Sequence, residues 1–123
     1  MIKENFNLLD EVKTPHLVHC DLWTGNILIE SYDSIPKIAA IIDRALFGDT
    51  DFEFANPWIT NEDFLNGYVI TSDDSPNKIT RKSIYRLMYH LIDAYTLKVE
   101  YNNPIASENE KLNAIKLLND IIK

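Results

Sequence analysis

The sequence predicts an α+β domain, mostly helical, in which one short β-hairpin packs on about four helices. Three observations carry this. Two apolar runs, residues 27–30 and 38–42, flank a turn-forming stretch with Asp33, Ser34 and Pro36. Residues 76–100 place Ile84, Leu87, Met88, Leu91, Ile92, Tyr95 and Val99 at intervals of three and four, the period of an amphipathic helix. A chain of 123 residues, 46% apolar, is one domain's worth with a single core.

In chain order, residues 1–13 carry Phe6, Leu8, Leu9 and Val12 and read as the last turns of a helix. Thr14-Pro15 stops it, because a residue before proline avoids the α region. Residues 27–30 read as a strand, 31–37 as a turn and 38–42 as the partner strand. In an antiparallel pair this makes Asn26 and Asp43 neighbours. Thr50 with Glu53 fits a capping box, so a short helix stopped before Pro57 is expected. Residues 60–70 show helical spacing, 71–77 a loop, and 76–100 the long helix, ended by Asn102-Asn103-Pro104. Ser107 with Glu110 suggests a second capping box opening the last helix. Residues 60–123 hold no chemistry-bearing motif, and these helices are expected to bury the underside of the hairpin.

The stretch around which the chain is organised is His19-Cys20-Asp21-Leu22-Trp23-Thr24-Gly25-Asn26, between two apolar runs and followed by Asp43. A loop entered and left by β-structure can place Asp21 and Asn26 accurately. One carboxylate can receive the proton of an attacking hydroxyl. An amide oxygen and a second carboxylate can hold Mg²⁺ against phosphates, since that ion takes few hard protein ligands.

These residues carry a resemblance. His19, Asp21, Leu22 and Asn26 match the H-R-D-L-x-x-x-N loop of protein kinases. The fuller run through Ile27-Leu28 resembles the aminoglycoside phosphotransferase and choline kinase group, which typically reads H-G-D-L-x-x-G-N-I-L. Ile42-Asp43, Gly48-Asp49 and Glu53-Phe54-Ala55 resemble that group's next segment. Leu22-Trp23-Thr24-Gly25-Asn26 also resembles the fructosamine kinase branch, and these few residues assign no branch. The resemblance implies Asp21 as catalytic base, Asn26 and Asp43 as metal ligands, and His19, Gly25 and Asp49 as supports of the site. It implies Mg²⁺ and ATP (or GTP), and a small-molecule hydroxyl acceptor such as an aminoglycoside, choline or a fructosamine. Cys20 stands where the group usually has Gly, and Glu53 where it usually has Asp.

Such kinases also carry an upstream lobe with a phosphate-covering loop. The only glycines here are Gly25, Gly48 and Gly67, and none precedes the motif. Residues 1–123 therefore resemble a C-terminal lobe alone. Two expectations follow: a fragment, incomplete without an N-lobe that another polypeptide supplies or that was left out, or a non-catalytic binding and assembly module that associates through the exposed lobe face.

The net charge of −7 argues against nucleic acid as a partner. It suits a cationic acceptor, for which Asp51, Glu53, Asp73 and Asp74 are candidate rim residues, and it also suits mere solubility. Residues 49–60 fail as an EF-hand, with Phe54 at the sixth position and Thr60 at the twelfth. One cysteine excludes an internal disulfide. Cys20 beside His19 suggests a thiol nucleophile, but neighbours on an extended backbone point apart. His90 and Asp93, one turn apart, read as a surface or core-edge pair rather than a metal site. No apolar run approaches a membrane span, and a cytoplasmic location is the expectation.

Overall fold

The computed structural model describes residues 2–32, 35–43, 45–56, 62–67 and 75–122. The described elements are α+β, as expected. A 3-10 helix, Ile2–Glu11, leads to the strand β1 (His16–Val18). A 3-10 turn, Thr24–Asn26, opens β2 (Ile27–Tyr32), which is followed by β3 (Ile35–Ile41) and β4 (Leu46–Gly48). Four helices follow: α1 (Thr50–Ala55), α2 (Glu62–Gly67), α3 (Pro76–Val99) and α4 (Pro104–Ile121).

The strands form two antiparallel pairs. β1 pairs with β4, placing Val18 opposite Leu46 and His16 opposite Gly48. β2 pairs with β3, placing Ile27 opposite Ile41, with an irregularity between Leu28 and Ile29. The hairpin is tighter than expected: β3 begins at Ile35 and takes Pro36 and Lys37 out of the anticipated turn.

The core lies between α1 and α3. Phe52 stacks on Tyr89 at 5.1 Å and meets Tyr85 edge-on at 5.2 Å. Val18, Ala55, Ile84 and Leu87 are buried alongside. Tyr85 and Tyr89 present α3 to α1, whereas Met88, Leu91, Ile92, Tyr95 and Val99 of the expected apolar stripe are exposed. Ser75 caps α3 by accepting from the Lys78 N–H at 3.4 Å, and Pro76 occupies its first turn. At its other end Asn102 is left-handed, at φ 48°, which lets the Asn103 N–H turn back to Leu97 O at 2.8 Å. Asn103 then caps α4 by accepting from the Ala106 N–H at 3.1 Å.

Two expectations about caps are corrected. The N-cap of α1 is Asp49, whose Oδ1 accepts from the Asp51 N–H at 3.0 Å, so Thr50 and Glu53 form no capping box. Likewise α4 starts at Pro104, and Ser107 lies inside it. The Ser107 hydroxyl is buried and donates to Ala94 O at 2.6 Å, tying α4 antiparallel to α3. His90 joins that seam: its Nδ1 meets Glu110 Oε2 at 2.6 Å.

A third correction concerns the hairpin. Among the described residues the helices do not bury its underside: Leu28, Ile29, Ile35, Ile38 and Ile41 remain 47%, 65%, 63%, 67% and 53% exposed. No described helix is long and apolar enough to cross a membrane.

Candidate active site

The loop between β1 and β2 is held from both sides. His19 bridges its two ends. The ring Nε2–H donates to Ile42 O at 2.9 Å, and Nδ1 accepts from the Asp21 N–H at 3.3 Å. Those two bonds use both ring nitrogens, Nε2 as donor and Nδ1 as acceptor.

Asn26 is buried and points its amide nitrogen back at Asp21, donating to the backbone O at 2.9 Å and to Oδ2 at 3.2 Å. The amide oxygen is thereby turned away from Asp21. The Asn26 carbonyl accepts from the Ile42 N–H at 2.9 Å, so Asp43 is one residue beyond a direct link to Asn26. The antiparallel register thus sets Asn26 against Ile42, and Asp43, the neighbour expected from the sequence, lies one residue further on. Asp43 is exposed and adopts φ 79°, a left-handed conformation that Asp tolerates better than most residues. Asn26 and Asp43 thus offer two hard oxygen donors, an amide and a carboxylate, and Asp21 adds a second carboxylate in the same loop system. That set fits Mg²⁺, which completes its shell with water and phosphate.

Gly25 has a local reason. A Cβ at this position would collide with the Trp23 indole, which lies over the turn.

The anchoring of the loop was not foreseen. Glu53, on α1, is only 2% exposed. Its Oε2 accepts the backbone N–H of His19 at 2.6 Å and that of Cys20 at 3.0 Å. Its Oε1 is buried without a hydrogen-bond partner among the described residues. From α3, Tyr89 donates its hydroxyl to Cys20 O at 3.2 Å, and Asn56 Nδ2 approaches the same oxygen at 3.4 Å. Residues 60–123 therefore do reach the site. Burial and the nearby Cys20 push the Tyr89 hydroxyl well above the usual tyrosine range, so it stays a donor.

Cys20 sits at φ 65°, the left-handed region that favours glycine. This accounts for the glycine that the resembling families carry there. It also removes the extended geometry on which the argument against a Cys–His pair rested. The chemistry argues against it as well: burial, then the Glu53 charge, push the thiol up to about 11 from 9.0, which lowers its thiolate fraction.

Asp49 and Asp51 form a second cluster below the loop. Arg81 Nε donates to Asp49 Oδ2 at 2.7 Å and its other arm to Asp51 Oδ2 at 3.1 Å. Tyr85 donates to Asp49 Oδ2 at 3.2 Å, and Lys78 stands 3.6 Å from Asp51. Burial works against the Arg81 charge, but Asp49 and Asp51 outweigh it and keep the guanidinium firmly protonated. Asp49 supports the site indirectly, by capping α1 and so placing Glu53.

The acidic rim does not form as expected. Asp51 is 5% exposed and engaged by cations of its own chain, and Glu53 is a buried brace. Asp73 and Asp74 lie outside the described residues. A different cavity, of about 780 Å³, opens beside the loop. His19, Cys20 and Asp21 of the loop line it, together with Leu46, Phe52, Asn56 and the C-terminal half of α3.

A family model for fructosamine kinase matches residues 1–113. The chain belongs to the fructosamine kinase family. A protein-ribulosamine 3-kinase of Oryza sativa subsp. indica, named as chloroplastic, is 33% identical over 99 residues, which is 76% of this chain and 28% of that protein. The enzyme of the same name from Oryza sativa subsp. japonica is 31% identical over 98 residues, with the same two shares. That from Arabidopsis thaliana is 29% identical over 85 residues, 68% of this chain and 25% of that protein. The chain thus spans about a quarter of the length of these relatives. No solved structure matches it. Of the groups that the motif resembles, the family match supports the fructosamine kinase branch and does not extend to the aminoglycoside or choline enzymes. The family is one of small-molecule kinases.

Proposed function

We propose that residues 1–123 are the C-terminal lobe of a phosphotransferase that moves the γ-phosphoryl group of ATP (or GTP) to a hydroxyl of a ketosamine. One observation carries the reading. Asn26 is hydrogen-bonded at once to Asp21 and, through its carbonyl, to Ile42, so base, amide and the Asp43 turn share one frame.

In this reading Asp21 orients the acceptor hydroxyl and takes its proton as the phosphoryl group leaves the nucleotide. His19 keeps the Asp21 backbone in register with the Ile42–Asp43 turn. Glu53 and Tyr89 fix the peptide on the N-terminal side of Asp21. Asn26 and Asp43 would hold Mg²⁺, which supplies neutralisation of phosphate charge when bound. Catalysis of this kind is mostly positioning and electrostatics, so loop geometry is its main variable. The acceptor class comes from the family match.

The test is thermal unfolding with and without excess MgATP, on wild type and Asp43→Asn. A ligand at a hundred times its dissociation constant adds about 2.7 kcal/mol. A Mg²⁺-dependent rise in melting temperature that vanishes in Asp43→Asn supports the reading. No rise, together with no turnover after mixing with a matching N-lobe, overturns it.

A second reading is favoured by the exposed apolar hairpin: an assembly module that keeps the scaffold and associates through β2 and β3. A two-stranded hairpin is marginal alone, and one with apolar residues exposed on both strands calls for a cover. Sedimentation giving a clean monomer at all concentrations would count against it.

A further inference from the structure

The helical hairpin of α3 and α4 has two unlike sides. Its seam is made of small residues: Ser107 and Ala114 of α4 and Ala94 of α3 are all buried. A helix turns about 100° per residue, and two antiparallel helices turn toward the same side of their common plane. The residue before a seam position therefore lies on one side of the hairpin, and the residue after it on the other. On the first side Arg86, Asn113 and Asp120 line a charged cleft of about 490 Å³, together with His90 and Lys116. On the second side stand Leu91, Tyr95 and Ile115, which follow His90, Ala94 and Ala114 and are 55%, 64% and 55% exposed.

α4 continues that second side as a regular stripe. Ile105, Glu108, Leu112, Ile115, Asn119 and Ile122 follow one another at intervals of three, four, three, four and three. The four apolar members are half exposed or more. The stripe also reads the same in both directions. Laid against an antiparallel copy of itself, it sets Ile105 on Ile122, Glu108 on Asn119 and Leu112 on Ile115, so apolar meets apolar and polar meets polar. With Leu91 and Tyr95, six large apolar side chains are available, each offering about 100 Å² at this exposure. Two copies together would cover about 1,200 Å², the lower bound of a specific interface.

We propose that two copies of this chain pair through α4, about a two-fold axis that passes between Leu112 and Ile115. This goes beyond the phosphotransferase reading and does not rest on it: none of the six stripe residues lines the cavity beside the catalytic loop. Leu112 and Ile115 sit at the centre of the pairing, and by symmetry each substitution there acts twice. Each copy carries a net charge of −7, so pairing is opposed by long-range repulsion and tightens as salt rises.

The experiment is sedimentation equilibrium of the full chain, from about 1 to 100 μM. It compares wild type, Leu112→Glu, Ile115→Lys and an equimolar mixture of those two variants. Both positions are exposed, so both variants should keep the wild-type circular dichroism. Wild type should dimerise in the micromolar range, and each variant alone should associate at least about tenfold more weakly. The mixture should regain the dimer: one central layer then joins the introduced acid to the introduced base, and the other restores leucine on isoleucine. If Leu112→Glu unfolds, Leu112→Ala takes its place and should still weaken the dimer. A wild-type monomer throughout the range leaves this face to another occupant and overturns the proposal. A dimer indifferent to the substitutions is held elsewhere, as on the β2–β3 hairpin, and overturns it too. Weakened variants that do not recover on mixing rule out the antiparallel register and with it the two-fold pairing.

Discussion

The carboxylate of Glu53 reaches the backbone of His19, 34 residues earlier, and accepts its N–H at 2.6 Å. The same oxygen takes the N–H of Cys20 at 3.0 Å. Two consecutive amides of the candidate catalytic loop therefore hang on one buried acid from α1.

Removing that acid orphans two amides. Glu53→Ala should cost about 3 kcal/mol, because hydrogen bonds to a charged group are strong and buried donors left unmade are penalised. Glu53→Gln keeps one acceptor oxygen and should cost about 1 kcal/mol. Urea unfolding of both variants checks the order; equal losses would show that charge, and not the acceptor, matters.

Cys20→Gly probes the left-handed peptide. A side chain at φ 65° is strained by about 1–2 kcal/mol, while glycine adds about 0.5–1 kcal/mol of unfolded-state entropy. The variant should therefore be as stable as wild type or up to about 1 kcal/mol more stable. A clear loss would mean that the thiol's packing outweighs the strain.

The thiol itself should be sluggish. With its pKa pushed up to about 11 from 9.0, chiefly by burial, its thiolate fraction at pH 8 falls about a hundredfold below that of an ordinary cysteine. The sign is that of an acid held neutral by the fold: the folded state loses stability as pH rises past 9 and the unfolded thiol ionises first. Alkylation with iodoacetamide should be slow in buffer and fast in denaturant. Equal rates would contradict the burial.

Arg81→Ala should cost about 3 kcal/mol, since it takes the shared guanidinium from two buried carboxylates, Asp49 and Asp51. Adding Asp51→Asn should recover part of the loss. A strictly additive double variant would mean that the pair is not coupled.

Much of this architecture could be read from the chain. The 3.6-residue period placed α3 to within a residue, and the two apolar runs gave the hairpin that brings Asn26 beside Ile42. Local cues failed where a tertiary partner competed for the same side chain. Glu53 had a capping-box position, but the amides of His19 and Cys20 bind it instead. Ser107 had one too, yet it lies buried against Ala94. Tyr89 and Arg81 gave no local signal at all. A tyrosine and an arginine in an amphipathic helix look like ordinary edge residues until α3 lies against α1. The rim assigned to Asp51 rested on charge alone, and charge does not say whether an acid meets solvent or Arg81.

The hydroxyl of Tyr89 closes on Cys20 O across 69 residues. That separation has a consequence for the order of assembly. Contacts this distant in sequence form only after the intervening chain has been made and its loops closed. During synthesis, residues 19–26 emerge long before α3 exists to pin them. The loop is thus written early and shaped late, and a truncated nascent chain would carry every residue of the motif without its geometry.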